Sequence, residues 1–190
     1  MFILVQELSV SLKTLAQCNR VKCCICTDAH LTAFQRAVYH VAACVPAGRV
    51  TSYGAVAAVL HAGQRGGLPA RAVGTALSRN VWNRLDCEPR VPCHRVVAAD
   101  GRLGGFSGHR HAASDAVRRK RCMLAAEGVP FKERRREWVL ESRGDLKQQR
   151  QQQQQQQQQH WVDAEWLRAA ARQYLVTGNA TAAERLPPSQ

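Results

Sequence analysis

Long apolar runs and secretory signals are missing from this sequence. No segment approaches the ~18 consecutive apolar residues that a membrane helix requires, and the N-terminus lacks an apolar stretch followed by a small-residue cleavage site. We therefore expect no membrane partner, and a nuclear or other intracellular location rather than secretion. Three basic residues against two acidic ones in the first 30 leave an organelle-targeting segment open as an alternative.

Acidic residues are scarce. The chain has 14 Asp and Glu against 27 Lys and Arg, so its formal net charge is +13. The excess is not confined to a tail, because residues 32–141 alone hold 18 basic and 8 acidic side chains. Basic surfaces of this kind attract polyanions. The charge favours nucleic acid as a partner over the simpler interpretation of an ordinary solvated surface.

The length of 190 residues gives room for one domain and its extensions. The tract QQRQQQQQQQQQH, at residues 148–160, cannot bury apolar surface, so it predicts a boundary. We expect five segments: an N-terminal Cys-rich extension at 1–31, a folded domain at 32–141, a Gln-rich linker at 142–160, an appended helix at 161–176 and a disordered tail at 177–190.

The eight cysteines are unevenly spread, and we interpret them as thiols rather than as a disulfide framework. Four residues of the N-terminal extension have spacings that a tetrahedral zinc could use: Cys18, Cys23, Cys26 and His30. They lie on one short segment with no second pair of ligands, so a loose Cys-rich tail is the simpler interpretation. We predict neither a metal nor another cofactor.

Three helices are predicted in the first half of the folded segment. Thr32 and Gln35 form a capping-box pattern at the start of the first helix, and the second begins at Ser52. The stretch ARAVGTALSRN predicts a third helix with small side chains and an arginine near each end. This order indicates a helix-turn-helix, although the connecting loop is longer than the usual turn.

Short strands are predicted in the second half. The stretch HRVVAADGRLGG predicts a strand, a turn at Asp100 and Gly101, and a second strand, which together form a hairpin wing. A basic helix should follow and end at Gly128. The stretch EWVLE predicts one last strand. The fold class expected is mainly α, of the α+β type, with a winged-helix arrangement and a short β-hairpin wing.

Cys93 is the candidate nucleophile. Pro92 keeps the preceding backbone out of the helical region, so Cys93 lies at a fixed junction before the Val96–Val97 strand. A thiol reacts as its thiolate, which nearby positive charge favours, and His94 and Arg95 follow directly. Neighbouring residues of an extended segment point to opposite faces, so a relay through water is expected between His94 and the sulfur. A buried structural cysteine is the simpler interpretation of such a residue.

The stretch VPCHRVV resembles the active-site signature of the O6-alkylguanine-DNA alkyltransferases, also called methylated-DNA-protein-cysteine methyltransferases. TAFQRAVYHVAACVPAGRVTSYGAVAAVL is similar to the opening of that family's catalytic domain, ARAVGTALSRN to its recognition helix, and GRLGGFSG and LAAEGV to its wing loop and final helix. The resemblance covers residues 32–130. It implies a winged-helix catalytic domain at 32–141 that moves an alkyl group from O6-alkylguanine in double-stranded DNA to its own cysteine, once per molecule, as a monomer.

The resemblance also implies roles for individual residues. Cys93 would accept the alkyl group, with His94 taking the thiol proton through a water and Glu127 orienting the imidazole. Tyr53 would polarise the extruded base and Asn80 would brace the cysteine strand. The remaining residues would contact DNA, with Arg71 filling the gap in the base stack: Ser52, Ala70, Arg71, Ala72, Gly74, Thr75, Ser78, Arg95, Phe106, Ser107 and Gly108.

Two other functions stay open. The chain resembles the alkyltransferase-like proteins in length and in its wing region, and those proteins bind alkylated DNA without repairing it. They normally have tryptophan in place of the cysteine, so Cys93 favours the enzyme. A winged-helix regulator is the second alternative. Phe106 stands where some alkyltransferases have a tyrosine, which removes one hydroxyl and keeps the ring.

Overall fold

The structure is a computed structural model that describes residues 25, 29–61, 69–80, 91–109, 111–134, 137–140 and 160–177. Short strands lie among longer helices, so the fold is of the mixed, mainly helical type that the sequence predicts. The elements are, in chain order, α1 (Ala33–Ala43), β1 (Val50–Ser52), α2 (Tyr53–Leu60), α3 (Ala70–Ser78), a 3-10 turn (Cys93–Arg95), β2 (Val96–Val97), α4 (Asp115–Ala126), β3 (Phe131–Arg134), β4 (Glu137–Leu140), β5 (Trp161–Val162) and α5 (Ala164–Thr177).

Side-chain caps fix the starts of α1 and α2. The Thr32 hydroxyl accepts from the backbone N–H of Gln35, and the Gln35 side chain accepts from the backbone N–H of Thr32 at 3.0 Å, which confirms the predicted capping box. The Ser52 hydroxyl accepts from the N–H of Ala55 at 2.9 Å, so α2 begins where the sequence predicts. Each cap satisfies N–H groups that have no partner within the helix.

Helix α3 divides into an inner and an outer face. Val73, Ala76 and Leu77 are buried, and Tyr39 of α1 donates its hydroxyl to the carbonyl of Ala76 at 3.0 Å. The outer side chains at helical spacing, Arg71, Thr75 and Ser78, are exposed. The packing of α3 against α1 therefore presents one basic and hydroxyl-bearing face to solvent.

A three-stranded parallel sheet has the strand order β2-β1-β5. Thr51 pairs with Val96 on one side and with Val162 on the other. The Thr51 hydroxyl donates to the Val162 carbonyl at 2.7 Å. All three residues are buried, so this small sheet lies inside the molecule and holds the segment that follows Cys93.

The predicted hairpin after Cys93 forms only at its turn, and the segments on either side of the turn pair mainly with other strands. The turn forms at Gly101, which has φ +80° and donates to Ala98 O at 3.0 Å. Across this turn the N–H of Ala98 donates to Arg102 O at 2.9 Å, but β2, at Val96 and Val97, pairs in parallel with β1. The return forms a bridge from Arg102 to Val139 of β4, and β4 pairs antiparallel with β3. Val96 and Val97 are both buried, so they belong to the interior sheet, and the return segment extends the β3–β4 hairpin instead.

The C-terminal residues pack onto the rest of the fold. Residues 161–176 were expected to be an appended helix. They form β5 in the three-stranded parallel sheet and most of α5, which packs against α2 and α1. Leu167 and Tyr174 of α5 are buried, as is Ile25 of the N-terminal extension. The predicted 142–159 part of the linker lies outside the described residues. No helix within the described ranges is long and apolar enough to cross a membrane.

Candidate active site

Cys93 opens the 3-10 turn and faces a cavity. Its N–H donates to Val91 O at 2.8 Å, and the N–H of Arg95 donates to Pro92 O at 2.9 Å, so the turn is closed on both sides. The Asn80 side chain donates to Val91 O at 3.2 Å, which ties the end of α3 to the same segment. Cys93 is 7% exposed. The thiol is thus held at a fixed place and is still in contact with the cavity.

Burial raises the pKa of the Cys93 thiol above its ordinary value. Four weaker effects lower the pKa and favour the thiolate: a hydrogen bond from the Asn80 side chain, the charge of Lys120, and the backbone N–H groups of Cys93 and His94. Since burial prevails, the resting form at neutral pH is the thiol. A reaction of this sulfur therefore needs a route for its proton.

A buried ionic cluster lies beside the cysteine. His94 Nε2 is 2.8 Å from Glu127 Oε1, and Arg95 donates to the same carboxylate at 2.8–3.2 Å. The Arg95 guanidinium also donates to Val45 O at 2.7 Å, and the N–H of Gly48 donates to Glu127 Oε2 at 3.3 Å. We call His94, Arg95 and Glu127 together the Glu127 cluster.

Burial alone would raise the pKa of Glu127, but hydrogen bonds from His94 and Arg95 and their charges lower the pKa to about 2. The carboxylate is therefore ionised at any physiological pH. An ionised carboxylate on Nε2 of His94 fixes the proton on that nitrogen and leaves Nδ1 as an acceptor. His94 Nδ1 is buried and has no hydrogen-bond partner among the described residues, so it is free to receive a proton.

Lys120 is a site residue that the sequence reasoning missed. It is fully buried on α4, and its ammonium donates to Val96 O at 2.8 Å, Leu103 O at 2.7 Å and Gly105 O at 3.3 Å. The Tyr53 hydroxyl lies 3.5 Å from the same nitrogen. The sequence carries one indication that Lys120 is buried, which is its helical spacing. Val117, Lys120 and Leu124 lie on the same face of α4, and all three are buried.

Burial shifts both pKa values of this pair. Desolvation lowers the pKa of Lys120 to about 7, opposed in part by its electrostatic interaction with Cys93. Burial, and then the electrostatic interaction of Tyr53 itself with Cys93, raises the pKa of Tyr53 to about 12. Tyr53 therefore keeps its proton and acts as a hydrogen-bond donor, whereas Lys120 titrates in the physiological range.

A cavity of about 650 Å³ brings most of the predicted residues together. Its size falls within the range of small-molecule sites. Its lining includes Cys93 and Tyr53, residues of α3, and the loop after Gly101. The predicted residues that line it are Tyr53, Ala70, Arg71, Gly74, Thr75, Ser78, Cys93, Phe106, Ser107 and Gly108.

Other predicted residues lie elsewhere. His94 and Glu127 lie behind the cysteine, Asn80 braces it, and Ser52 caps α2. The prediction that Arg95 contacts DNA is not supported by its position, because its guanidinium is bound to Glu127 and to a backbone carbonyl. The remaining predicted contact, Ala72 of α3, is partly buried and outside the cavity lining.

The zinc candidates are not brought together by the described structure. Cys18, Cys23 and Cys26 lie outside the described residues, and His30 is exposed. Within the residues that the structure covers, no group of three or more metal-binding side chains occurs. Cys44, Cys93 and Cys122 are free thiols.

The chain matches the family model described as 6-O-methylguanine DNA methyltransferase, DNA binding domain, over residues 33–129. A methylated-DNA–protein-cysteine methyltransferase of Methanothermobacter thermautotrophicus is 38% identical over 98 residues, which are 52% of this chain and 46% of the relative. A DNA base-flipping protein of Thermus thermophilus is 50% identical over 64 residues, 34% of this chain and 36% of that protein. The chain thus spans about half the length, or less, of these curated relatives.

Among solved structures, S. pombe Atl1 in complex with damaged DNA containing O6-carboxymethylguanine is similar at 27% identity, with a TM-score of 0.43. The match covers 57% of this chain and 88% of Atl1. At this TM-score the likeness supports no inference of its own.

Proposed function

Because this chain belongs to the 6-O-methylguanine DNA methyltransferase family, we propose that it repairs O6-alkylguanine in double-stranded DNA by moving the alkyl group to Cys93. Each molecule acts once, because the product is a thioether on the protein itself. The reaction needs no cofactor. We propose further that α2 and α3 form a helix-turn-helix and that the loop after Gly101 acts as the wing of a winged helix.

One observation carries this proposal. Cys93 lines the same cavity as Tyr53 and the outer face of α3, including Arg71, and the chain has a proton acceptor behind the sulfur in His94 Nδ1. A structural cysteine would need neither a cavity nor an adjacent acceptor. The likeness to methyltransferases in the segment that holds these residues adds to the argument.

The proposed chemistry is balanced by groups of the chain. The Cys93 sulfur forms a bond to the alkyl carbon as the bond from that carbon to guanine O6 breaks. The thiol proton moves through a water to His94 Nδ1, while Glu127 holds Nε2–H at 2.8 Å and stabilises the imidazolium. The electron pair of the broken bond stays on the guanine, which takes up one proton to become the normal base, and Tyr53 donates a hydrogen bond to it.

The DNA side of the proposal uses the exposed face of α3. A base inside a duplex must leave the stack before the sulfur can reach O6, which costs a few kcal/mol of unstacking. Arg71 lies near the start of α3, is exposed, and lines the cavity, so its side chain can fill the vacated position. The small residues of α3 let the helix backbone approach the groove, and Gly74 is one of those that line the cavity.

The test is a single-turnover transfer assay with duplex DNA that contains O6-methylguanine. After digestion and mass spectrometry, the peptide with Cys93 is expected to be one methyl heavier. Cys93→Ala should show no transfer and nearly unchanged DNA affinity, because the side chain is small and mostly buried. Cys122→Ala, which removes an exposed thiol of α4, is the matched control and should transfer normally.

A second candidate function is lesion binding without repair. The Thermus thermophilus relative named a DNA base-flipping protein favours it, being 50% identical over its 64 matched residues. Lesion-selective binding with no gain in mass at Cys93 would support this alternative. Equal binding to damaged and undamaged duplexes would favour a winged-helix regulator, and methyl transfer by Cys93→Ala would refute the role of the sulfur.

A further inference from the structure

We propose that Lys120 is a positioning residue for the transfer reaction: its ammonium fixes one wall of the cavity against the cysteine segment and faces the Cys93 thiolate with a positive charge. The wall is the Gly104 loop, residues 103–106. The inference rests on the proposed function only in naming Cys93 as the acceptor, since the reactivity of that thiol can be measured without DNA.

The geometry of the ammonium supports the positioning role. Its three N–H donors are used on backbone carbonyls, one on β2, at Val96, and two on the Gly104 loop, at Leu103 and Gly105. The Leu103 N–H donates in turn to Trp138 O of β4 at 2.8 Å. The loop is therefore held from α4 on one side and from β4 on the other, and Leu103, Gly104, Gly105 and Phe106 all line the cavity.

The electrostatic surroundings of Lys120 are unusual for a buried lysine. Among the described residues, no carboxylate lies within ion-pair distance of its ammonium. The ion pairs found there join other residues. The titratable groups that face it are Tyr53 of α2 and Cys93 of the 3-10 turn, while β2 and the Gly104 loop present only carbonyls. The Cys93 thiolate is therefore the anion available to this charge.

The coupling of the two groups predicts how the thiol ionises. When a thiol and an amine interact closely, the first proton leaves the pair rather than one residue alone. The state that has lost this proton includes a form with thiolate and ammonium. Lys120 thus increases the fraction of thiolate at a given pH, although burial still raises the pKa of Cys93 overall.

The experiment measures the alkylation rate of Cys93 by iodoacetamide between pH 5.5 and 9.5, in the full DNA-free chain, with peptide mass spectrometry to separate the eight cysteines. Lys120→Met should move the rise in rate at least one pH unit higher and slow alkylation at pH 7 about tenfold. Arg119→Met removes an exposed charge from the next position of α4 and should leave the profile unchanged.

Two further measurements separate the charge from packing. Lys120→Arg restores a cation, so its profile should return toward that of the unsubstituted protein even if its melting temperature does not. The chain has only five lysines, and in the unsubstituted protein 13Cε NMR should show Lys120 titrating near pH 7 and the others near ~10.4. If the alkylation of Cys93 rises only at pH values where Lys120 has already lost its charge, the thiolate forms without the ammonium and the proposal is overturned.

The outcomes distinguish this inference from the proposed function. Superimposable pH profiles for folded Lys120→Met and the unsubstituted protein would overturn the inference, even if methyl transfer from DNA is observed. If the profile shifts as expected and no methyl is transferred from DNA, the role of Lys120 toward the thiol stands and the repair function fails.

Discussion

Two charged residues of the same helix, Glu127 and Lys120, lie near the Cys93 segment: Glu127 is partly buried and Lys120 is fully buried. Glu127, at the end of α4, is surrounded by donors from His94, Arg95 and Gly48. Lys120, two turns earlier on the same helix, has carbonyls and a hydroxyl but no carboxylate partner in the described residues. Burial opposes both charges. The pKa of Glu127 is nevertheless lowered to about 2, so that it stays charged, whereas that of Lys120 falls to about 7.

The difference teaches which charge is fixed and which can respond. A carboxylate that accepts hydrogen bonds from an arginine and a histidine is a permanent charge, suited to orienting an imidazole. An ammonium held only by dipoles stays near its titration point, suited to exchanging a proton with a neighbouring thiol. We infer that two positions of α4 have different roles: the Glu127 cluster at its C-terminal end removes a proton from the sulfur, and Lys120 in its middle favours the resulting thiolate.

The largest effect is expected when the fixed charge is neutralised. Glu127→Gln keeps the shape of the side chain but cannot stabilise an imidazolium, so methyl transfer should slow about 100-fold, within the range of general-base contributions. Lesion binding should not change, because Glu127 is not in the cavity lining. The measurement is single-turnover transfer together with the affinity for the same duplex.

Glu133→Gln is the matched control, since Glu133 is an exposed carboxylate of β3. The Glu127→Gln variant should still show the rise in alkylation with pH that depends on Lys120, because the ammonium favours the thiolate whether His94 or solvent receives the proton. A transfer rate equal to that of the control would contradict the role of Glu127, and loss of the pH-dependent rise would contradict the separation of the two charges.

The sequence predicted a role for Glu127, the fixed charge, but not for Lys120, the charge that responds to pH. The capping residues Thr32 and Ser52 act locally, so patterns of three residues predict them. Cys93, His94 and Glu127 came from a motif and a resemblance. Lys120 lies in the run RRKR, which is typical of a solvated helix, and its carbonyl partners are 15 to 24 positions away in the chain. Its spacing from Val117 and Leu124 places Lys120 on the buried face of the helix, but only the tertiary structure shows the carbonyls that receive its charge.

Long-range pairing also explains the contacts that the sequence did not predict. Arg95 follows the active-site signature and was expected on DNA, but its partner is a carboxylate 32 positions later. The hairpin after Cys93 was predicted from a turn that does form. Which strands pair across that turn depends on β1, β4 and β5, whose places in the sheets the local pattern does not contain.

A smaller effect should appear in how stability changes with pH. The stabilisation by the Glu127 charge is the unfolding free energy of the unsubstituted protein minus that of Glu127→Gln. It has its full value above the pKa of ~4.3 that this carboxyl has in the unfolded chain, and it is lost as the pH falls toward about 2. The loss should be about 2 kcal/mol, since the unfolded state binds the proton first. Urea titrations at pH 5, 4, 3 and 2.5 measure this difference.

Lys120→Met should show the opposite window. Its pKa is about 7 in the folded state and ~10.4 when unfolded, so both states are protonated below pH 6 and the difference from the unsubstituted protein stays flat there. Between pH 7 and 10 the unfolded state binds more protons, and the unsubstituted protein should gain stability relative to Lys120→Met. Two results would contradict the contrast between the two charges. One is a stability difference between the unsubstituted protein and Glu127→Gln that does not change with pH in acid, and the other is a difference for Lys120→Met that does change with pH below pH 6.

The smallest effect concerns the wall that Lys120 holds. Gly104 has φ +71°, which disfavours any L side chain, and a Cβ there would lie 3.5 Å from the Tyr53 hydroxyl. Gly104→Ala should therefore lower the unfolding free energy by about 1 kcal/mol and shift the iodoacetamide profile of Cys93 less than Lys120→Met does, since the ammonium itself remains. Gly108→Ala is the control: its φ is +82° but nothing lies within 4 Å of the added Cβ, so it carries the same backbone strain without the contact. If both variants lower stability equally and neither alters the Cys93 profile, the loop does not depend on its packing against Tyr53, and the ammonium acts on the thiol through charge alone.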